Sequence, residues 1–333
     1  MRPGRPVQYF RCGVAMKQVA IIGSGNVGAN CAFFVAENRA ASVVLVDVRQ
    51  GLSTGKALDI SEAGPIRHYD TAIRGTDDIR EIAGSDIVVI AAGRVRRPGE
   101  NREDLFRDNG QLVPRICADI REFAPEAAVI NVIEPVDMTT LLAQELLGFE
   151  RPRVLGVGGL LSSMRLRYLV STALGVSPRE VAGMVVGPHS PDMVVLRDTV
   201  RVSGIPAETL LATERFDSII DDVRRADETI LYMSQQSAAF YAPSAAIAAL
   251  VEAIVRDTKA ILPVSIRLEG EYGLAGIAVS VPARIGAKGA EQVIEVEMRA
   301  KDRADLQNAA ALLRVSLGRA GGWFNRTGGA RDA

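Results

Sequence analysis

Cysteine is scarce in this chain. The three present in 333 residues (Cys12, Cys31 and Cys117) are scattered and form no Cys-x-x-Cys pair. That excludes a disulfide framework and a cysteine metal site, and a reducing cytoplasm is the expected compartment. Net charge is also nearly absent: 39 Lys+Arg stand against 40 Asp+Glu, a formal charge of −1, and aromatics are only 5%. Without a basic field there is little to recruit nucleic acid or an anionic membrane surface. Charges or glycines interrupt every apolar stretch before it reaches the roughly 18 residues of a membrane span. What the chain does have is 48% hydrophobic residues. That content opposes disorder, and the length suits one large or two medium domains. A globular enzyme or small-molecule binder is the remaining class.

Residues 1–15 carry three arginines and no acid, and lack the apolar core of a secretory signal. A loose extension is expected there, with the folded part starting at Met16. The glycine-rich stretch 318–333 is expected to be a flexible tail. In between, QVAIIG (18–23), SVVLVDV (42–48), DIVVIAAG (86–93), AAVINVI (127–133) and RVLGVGG (153–159) are near-continuous apolar runs of strand length. Such runs suit strands buried on both faces, as in a parallel sheet. Helical patterns over Val27–Glu37, Leu52–Ala63 and Glu103–Phe123 alternate with them, which predicts a doubly wound α/β domain over residues 16–155. After Gly159 the pattern changes. Helical segments Leu161–Leu174, Ile219–Gln236 and Ser244–Asp257 mix with strand-like runs such as VSIRLEG and IAVSVPARIG. An α+β domain over 156–317 is expected, sharing a broad interface, and the active site, with the first.

The first predicted strand runs into Gly23-Ser24-Gly25-Asn26-Val27-Gly28, followed at once by a helical pattern. In that context Gly23 permits a tight turn, Gly25 lets a pyrophosphate approach the backbone, and Gly28 allows close helix–strand packing. The phosphates would rest on the helix N-terminus. Asp47 closes the second strand nineteen residues after Gly28. A carboxylate there suits two ribose hydroxyls and repels a 2′-phosphate, so NAD is favoured over NADP.

With these features in place the chain resembles the lactate/malate dehydrogenase family, and within it the lactate-dehydrogenase-like malate dehydrogenases. The likeness runs through GKALD (55–59), RRPGENREDL (96–105), NVIEPVD (131–137), VLGVGGLLSSMRLR (154–167), GPHSPDM (187–193), SAAFYAPSAA (237–246) and LPVSIRLEGEYG (262–273). It implies a Rossmann NAD domain before a substrate domain, assembly as a homodimer or homotetramer, and hydride transfer between NAD(H) and a 2-hydroxy or 2-oxo acid. His189, one of two histidines, would exchange the proton on the substrate oxygen. Arg102 would polarise that oxygen, and Arg165 would grip the substrate carboxylate. Arg96 stands where malate dehydrogenases place an arginine, which suits a dicarboxylate such as malate or oxaloacetate. Ser237 falls near a pocket-lining hydroxyl, and Asn109 and Val132 fall on the cofactor side. Arg94 and Arg97 are expected to face solvent, and His68 to lie on the surface.

Two positions depart from the family. Ser162 stands where an aspartate, one helical turn before the carboxylate-binding arginine, orients the histidine and offsets its positive charge. By analogy with a serine-protease triad lacking its carboxylate, the loss can reach about 10⁴ in rate. Glu134 replaces an asparagine that contacts substrate and nicotinamide, and a carboxylate cannot donate as an amide does. Ser190 and Pro191 also replace Gly-Asp after the histidine. Either Glu134 takes over the missing carboxylate's part and the site works with altered substrate choice, or the chain is an NAD-binding paralogue with impaired catalysis and a regulatory or structural role.

Overall fold

The computed structural model describes residues 16–96, 99–235 and 238–320. Six strands, β1 (Gln18–Ile22), β2 (Ser42–Val46), β3 (Ile73–Thr76), β4 (Ile87–Ile90), β5 (Ala128–Asn131) and β6 (Val154–Gly156), pair in parallel in the order 3-2-1-4-5-6. Helices α1 (Asn26–Glu37), α2 (Leu52–Arg67), α3 (Arg102–Asn109), α4 (Val113–Phe123) and α5 (Val136–Leu147) connect them, and α6 (Gly159–Leu174) follows β6. The continuous apolar runs have a direct cause. Successive strand residues point to opposite faces, and helices cover both. Val19, Ile21, Ile87 and Val89 belong to one core cluster, Ala20, Ile22, Val88 and Ile90 to the other.

The second half holds β7 (Val181–Val186), β8 (Val194–Val202) and β9 (Ile205–Pro206) as a separate antiparallel sheet, then α7 (Ala207–Leu210), α8 (Thr213–Ser234) and α9 (Tyr241–Val255). The last strands, β10 (Ala260–Glu269), β11 (Ala275–Gly286) and β12 (Gly289–Val293), rejoin the first sheet, and α10 (Ala300–Ala320) closes the described chain. β10 pairs antiparallel with β6 at Ser265 and Gly156, so one nine-stranded sheet runs through both halves. This covers the edge that β6 would otherwise leave open. The α/β class with a doubly wound first half and an α+β second half is therefore as expected, though the sheet does not stop at the boundary.

Other elements depart from expectation. The predicted helix 103–123 is broken into α3 and α4. Pro114 lacks an N–H and would clash with the carbonyl of Gly110 in a continuous helix, so it sits instead in the first turn of α4. α10 continues to Ala320, so residues 318–320 are helical rather than part of a tail. The expectations for residues 1–15, for 321–333, and for Arg97 and Ser237 lie outside the described residues. Among the described residues no helix is long and apolar enough to cross a membrane.

Close approach of α1 to β1 is possible only because position 28 has no side chain. A Cβ there would lie 1.9 Å from the Gly23 carbonyl oxygen, which is backbone and cannot swing aside. Gly28→Ala is expected to lower stability by about 1–3 kcal/mol, the range for overpacking. Urea denaturation checks this as a reduced midpoint at unchanged slope.

Candidate active site

β1 delivers the chain to Gly23, whose φ of +105° opens the loop, and α1 begins at Asn26 with Gly25 as its N-cap and no side chain closing the first turn. The free N–H groups of that turn therefore remain available to an anion. A Cβ added at Gly25 would meet nothing within 4 Å, so the loop borders open space of the kind a dinucleotide would fill. Asp47, just past β2, buttresses this loop. Its Oδ2 accepts from Ser24 N (2.9 Å) and its Oδ1 from Arg49 N (3.0 Å). Partial burial works against its charge, but these hydrogen bonds and the Arg49 guanidinium prevail and hold its carboxyl below the usual range. The residues present fit NAD: a glycine loop, an uncapped helix start and an ionised carboxylate at the end of β2.

The loop opens into a cavity of about 330 Å³ lined from both halves of the chain. Asn26, Val27 and Val132 border its nucleotide end, and Arg102, Glu134 and His189 its other end. Asn109 does not line it. That side chain is buried, donating to Arg94 O (2.9 Å) and Glu134 O (2.8 Å) and accepting from Arg94 N (3.0 Å). It clamps the loops after β4 and β5 rather than presenting a free amide. Arg94, expected in solvent, is instead held by Glu100 and Asp108. His68 is exposed, as expected.

His189 is 5% exposed and fixed from four directions. Its backbone N donates to Asp137 Oδ2 (2.6 Å), and Asp137 Oδ1 accepts from Ser265 Oγ (2.7 Å). Burial pushes the Asp137 carboxyl up, against the pull of these two donors. Arg102, the first residue of α3, donates from Nη1 to the His189 carbonyl oxygen at 2.5 Å. Asn101 caps that helix by accepting from Asp104 N (2.7 Å), which sets the start of α3 beside the histidine loop. On the ring, Nδ1 lies 3.3 Å from Ser162 Oγ. Nε2 faces two carboxylates, Glu134 Oε1 and Asp227 Oδ2, each at 3.6 Å. Glu134 thus reaches His189, but from the side opposite Ser162, and cannot stand in the place of an Nδ1 partner.

Ser162 and Arg165 lie one turn apart on α6 and both are buried. Arg165 Nη2 bonds Asp227 Oδ1, while its Nε and Nη1 are buried with no partner among the described residues. Arg96 Nη2 is 3.3 Å from Glu228 Oε1. Two residues escaped the sequence reading. Asp137 lies inside the quoted NVIEPVD segment, but nothing local shows that it holds a loop 52 positions away. Asp227 comes from α8, 62 positions beyond Arg165, and carries no sequence signal. Desolvation by the groups packed around it works against its charge, but the Arg165 hydrogen bond and the proximity of His189, Arg165 and Arg102 hold its carboxyl down to about 2.

An unfolded aspartate titrates near about 3.9. A carboxyl depressed in the folded state contributes stability above that value and loses it as pH falls through the folded one. Wild type is therefore expected to lose stability between about pH 4 and pH 2 through Asp227. In Asp227→Asn this part of the acid loss should disappear, read as a flatter dependence of Tm on pH over that interval.

Residues 17–156 match the lactate/malate dehydrogenase NAD binding domain, and residues 160–320 its alpha/beta C-terminal domain. A malate dehydrogenase of Methanosarcina barkeri is 38% identical over 302 residues, 91% of this chain and 98% of the relative. Among solved structures, malate dehydrogenase from Salinibacter ruber superposes with a TM-score of 0.86 at 37% identity, covering 90% of this chain and 96% of that one. Lactate dehydrogenase from Cryptosporidium parvum, complexed with lactic acid and nicotinamide adenine dinucleotide, gives 0.89 at 30% identity, covering 92% and 98%. Both family matches together span nearly all of the described chain, which belongs to the lactate/malate dehydrogenase family of NAD-dependent hydroxy- and oxo-acid oxidoreductases.

Proposed function

We propose that the chain interconverts a 2-oxo acid and its 2-hydroxy acid, with a dicarboxylate such as oxaloacetate or malate preferred. The observation that carries this reading is the cavity itself, which joins the Gly25–Val27 loop to His189, Arg102 and Arg96. When bound, NADH supplies the hydride to the carbonyl carbon. His189, held by Asp137 and Arg102, gives its Nε2 proton to the oxygen as the carbonyl becomes a carbinol. Arg102 polarises that oxygen, Arg165 takes the 1-carboxylate, and Arg96 takes a second carboxylate in competition with Glu228. Glu134 stabilises the protonated ring from the cavity side. Gly23, Ser24, Gly25, Asn26, Val27, Gly28, Asp47 and Val132 hold the nucleotide, with Asn109 positioning the loops around it. The residue boundaries 16–155 and 156–317 divide the nucleotide and substrate parts, and assembly is as a homodimer or homotetramer.

One observation favours a second reading, an NAD-binding paralogue with impaired catalysis: the Nδ1 partner is a hydroxyl, Ser162, which cannot offset the charge of a protonated ring. NADH oxidation with oxaloacetate, pyruvate and bulkier 2-oxo acids separates the two. Turnover of about 1–10³ s⁻¹ on any of them is expected for the first reading. NADH binding without turnover would establish the second.

Two substitutions test the proton-transfer assignments. Glu134→Gln removes a charge that favours the protonated ring, and a loss of about tenfold in kcat is expected. Ser162→Asp places a carboxylate beside Nδ1, which favours the protonated form. Reduction of the 2-oxo acid should then rise by about tenfold or more in kcat, with the alkaline limb of its pH profile moved upward.

A further inference from the structure

The carboxylate of Asp227 divides between the two groups on which recognition of an acid substrate depends. Its Oδ1 holds Arg165 Nη2, and its Oδ2 lies 3.6 Å from His189 Nε2. A 2-oxo acid in the reading above would offer a carboxylate to that guanidinium and a carbonyl oxygen to that ring nitrogen. Asp227 therefore presents, from within the chain, the charge and one of the contacts that such a substrate would bring. The remaining Arg165 donors, Nε and Nη1, are sealed from solvent and bonded to nothing among the described residues. The Nη2 bond to Asp227 is thus the one hydrogen bond of this buried guanidinium among the described residues. Asp227 itself is about half exposed and lines the cavity, so its side chain has room to turn outward.

We propose that Asp227 is a specificity-determining residue that competes with the substrate carboxylate for Arg165, so that simple 2-oxo acid anions bind weakly unless they displace it. The proposal rests on the dehydrogenase reading for the identity of the substrate anion. The physical basis is that two carboxylates on one guanidinium repel at close range, while Arg165 can accept either one with similar geometry. Because Asp227 stays ionised down to about pH 2, ordinary changes of pH do not relieve the competition.

Calorimetry with oxamate, an unreactive analogue of a small 2-oxo acid, added to the full chain saturated with NADH, tests this directly. Asp227→Asn keeps the shape of the side chain and removes the charge, and oxamate is expected to bind at least tenfold tighter, with NADH affinity within twofold of wild type. Asp222→Asn, an exposed carboxylate on α8 paired with Arg225, controls for helix charge and should leave oxamate binding unchanged. Equal or weaker binding by Asp227→Asn, including no binding to either protein, would overturn the proposal, as would the same gain in Asp222→Asn. The 2-oxo acid panel run on the same preparations keeps the two readings apart. An oxamate gain without turnover upholds the competition and removes the dehydrogenase reading. Turnover without an oxamate gain does the reverse.

Discussion

The Asp137 carboxylate is the point at which the two halves of the chain are tied together at the site. It stands at the start of α5, in the nucleotide half, yet both oxygens serve the second half: one accepts from Ser265 on β10, the other from the His189 backbone. Burial of a carboxylate is costly unless donors compensate, and here each oxygen has one. The same Ser265 lies at the single register position where β10 meets β6. Sheet continuity and histidine position therefore share one contact region. Removing that carboxylate would leave a buried N–H and a buried hydroxyl without their acceptor, with a cost of about 1–3 kcal/mol, and would release the loop that carries His189.

Around that fixed ring the charges are arranged unevenly. The Nδ1 side carries a hydroxyl, and the carboxylates have gathered on the Nε2 side. A carboxylate near either nitrogen favours the protonated ring. On the Nε2 side, however, it also occupies space that a substrate oxygen needs. Each of the three arginines expected to receive substrate is likewise already engaged within the chain: Arg102 by the His189 carbonyl, Arg165 by Asp227, Arg96 by Glu228. In the proposed reading, substrate choice would then depend on which internal contacts an incoming acid can replace, and its affinity would be the difference between two sets of polar contacts.

Much of the fold could be read from the chain alone because its causes are local. A strand covered on both faces must be apolar at every position, and QVAIIG, SVVLVDV and DIVVIAAG are. A tight turn into a phosphate-binding helix needs glycines at fixed spacing, and Gly23, Gly25 and Gly28 meet that need. The division of 103–123 into α3 and α4 was also available locally, through Pro114, but the amphipathic pattern on either side hid it. Strands β8 and β12 and helix α10 were not legible, since their patterns are mixed and they take their order from packing against distant elements.

By itself, then, the sequence determined the strand and helix alternation and the glycine loop with Asp47, which follow from chemistry carried by neighbouring positions. His189, Arg96, Arg102 and Arg165 came forward as candidate site residues only through the resemblance to the family. Only the tertiary structure decided that Asn109 clamps two loops, that Glu134 approaches the ring from Nε2, and that Asp227 sits on Arg165. Those facts depend on where α8, the loop after β5 and the loop after β7 come to rest against one another. Contacts between residues 52 and 62 positions apart leave no period or spacing in the chain, because the fold alone brings the charges within range.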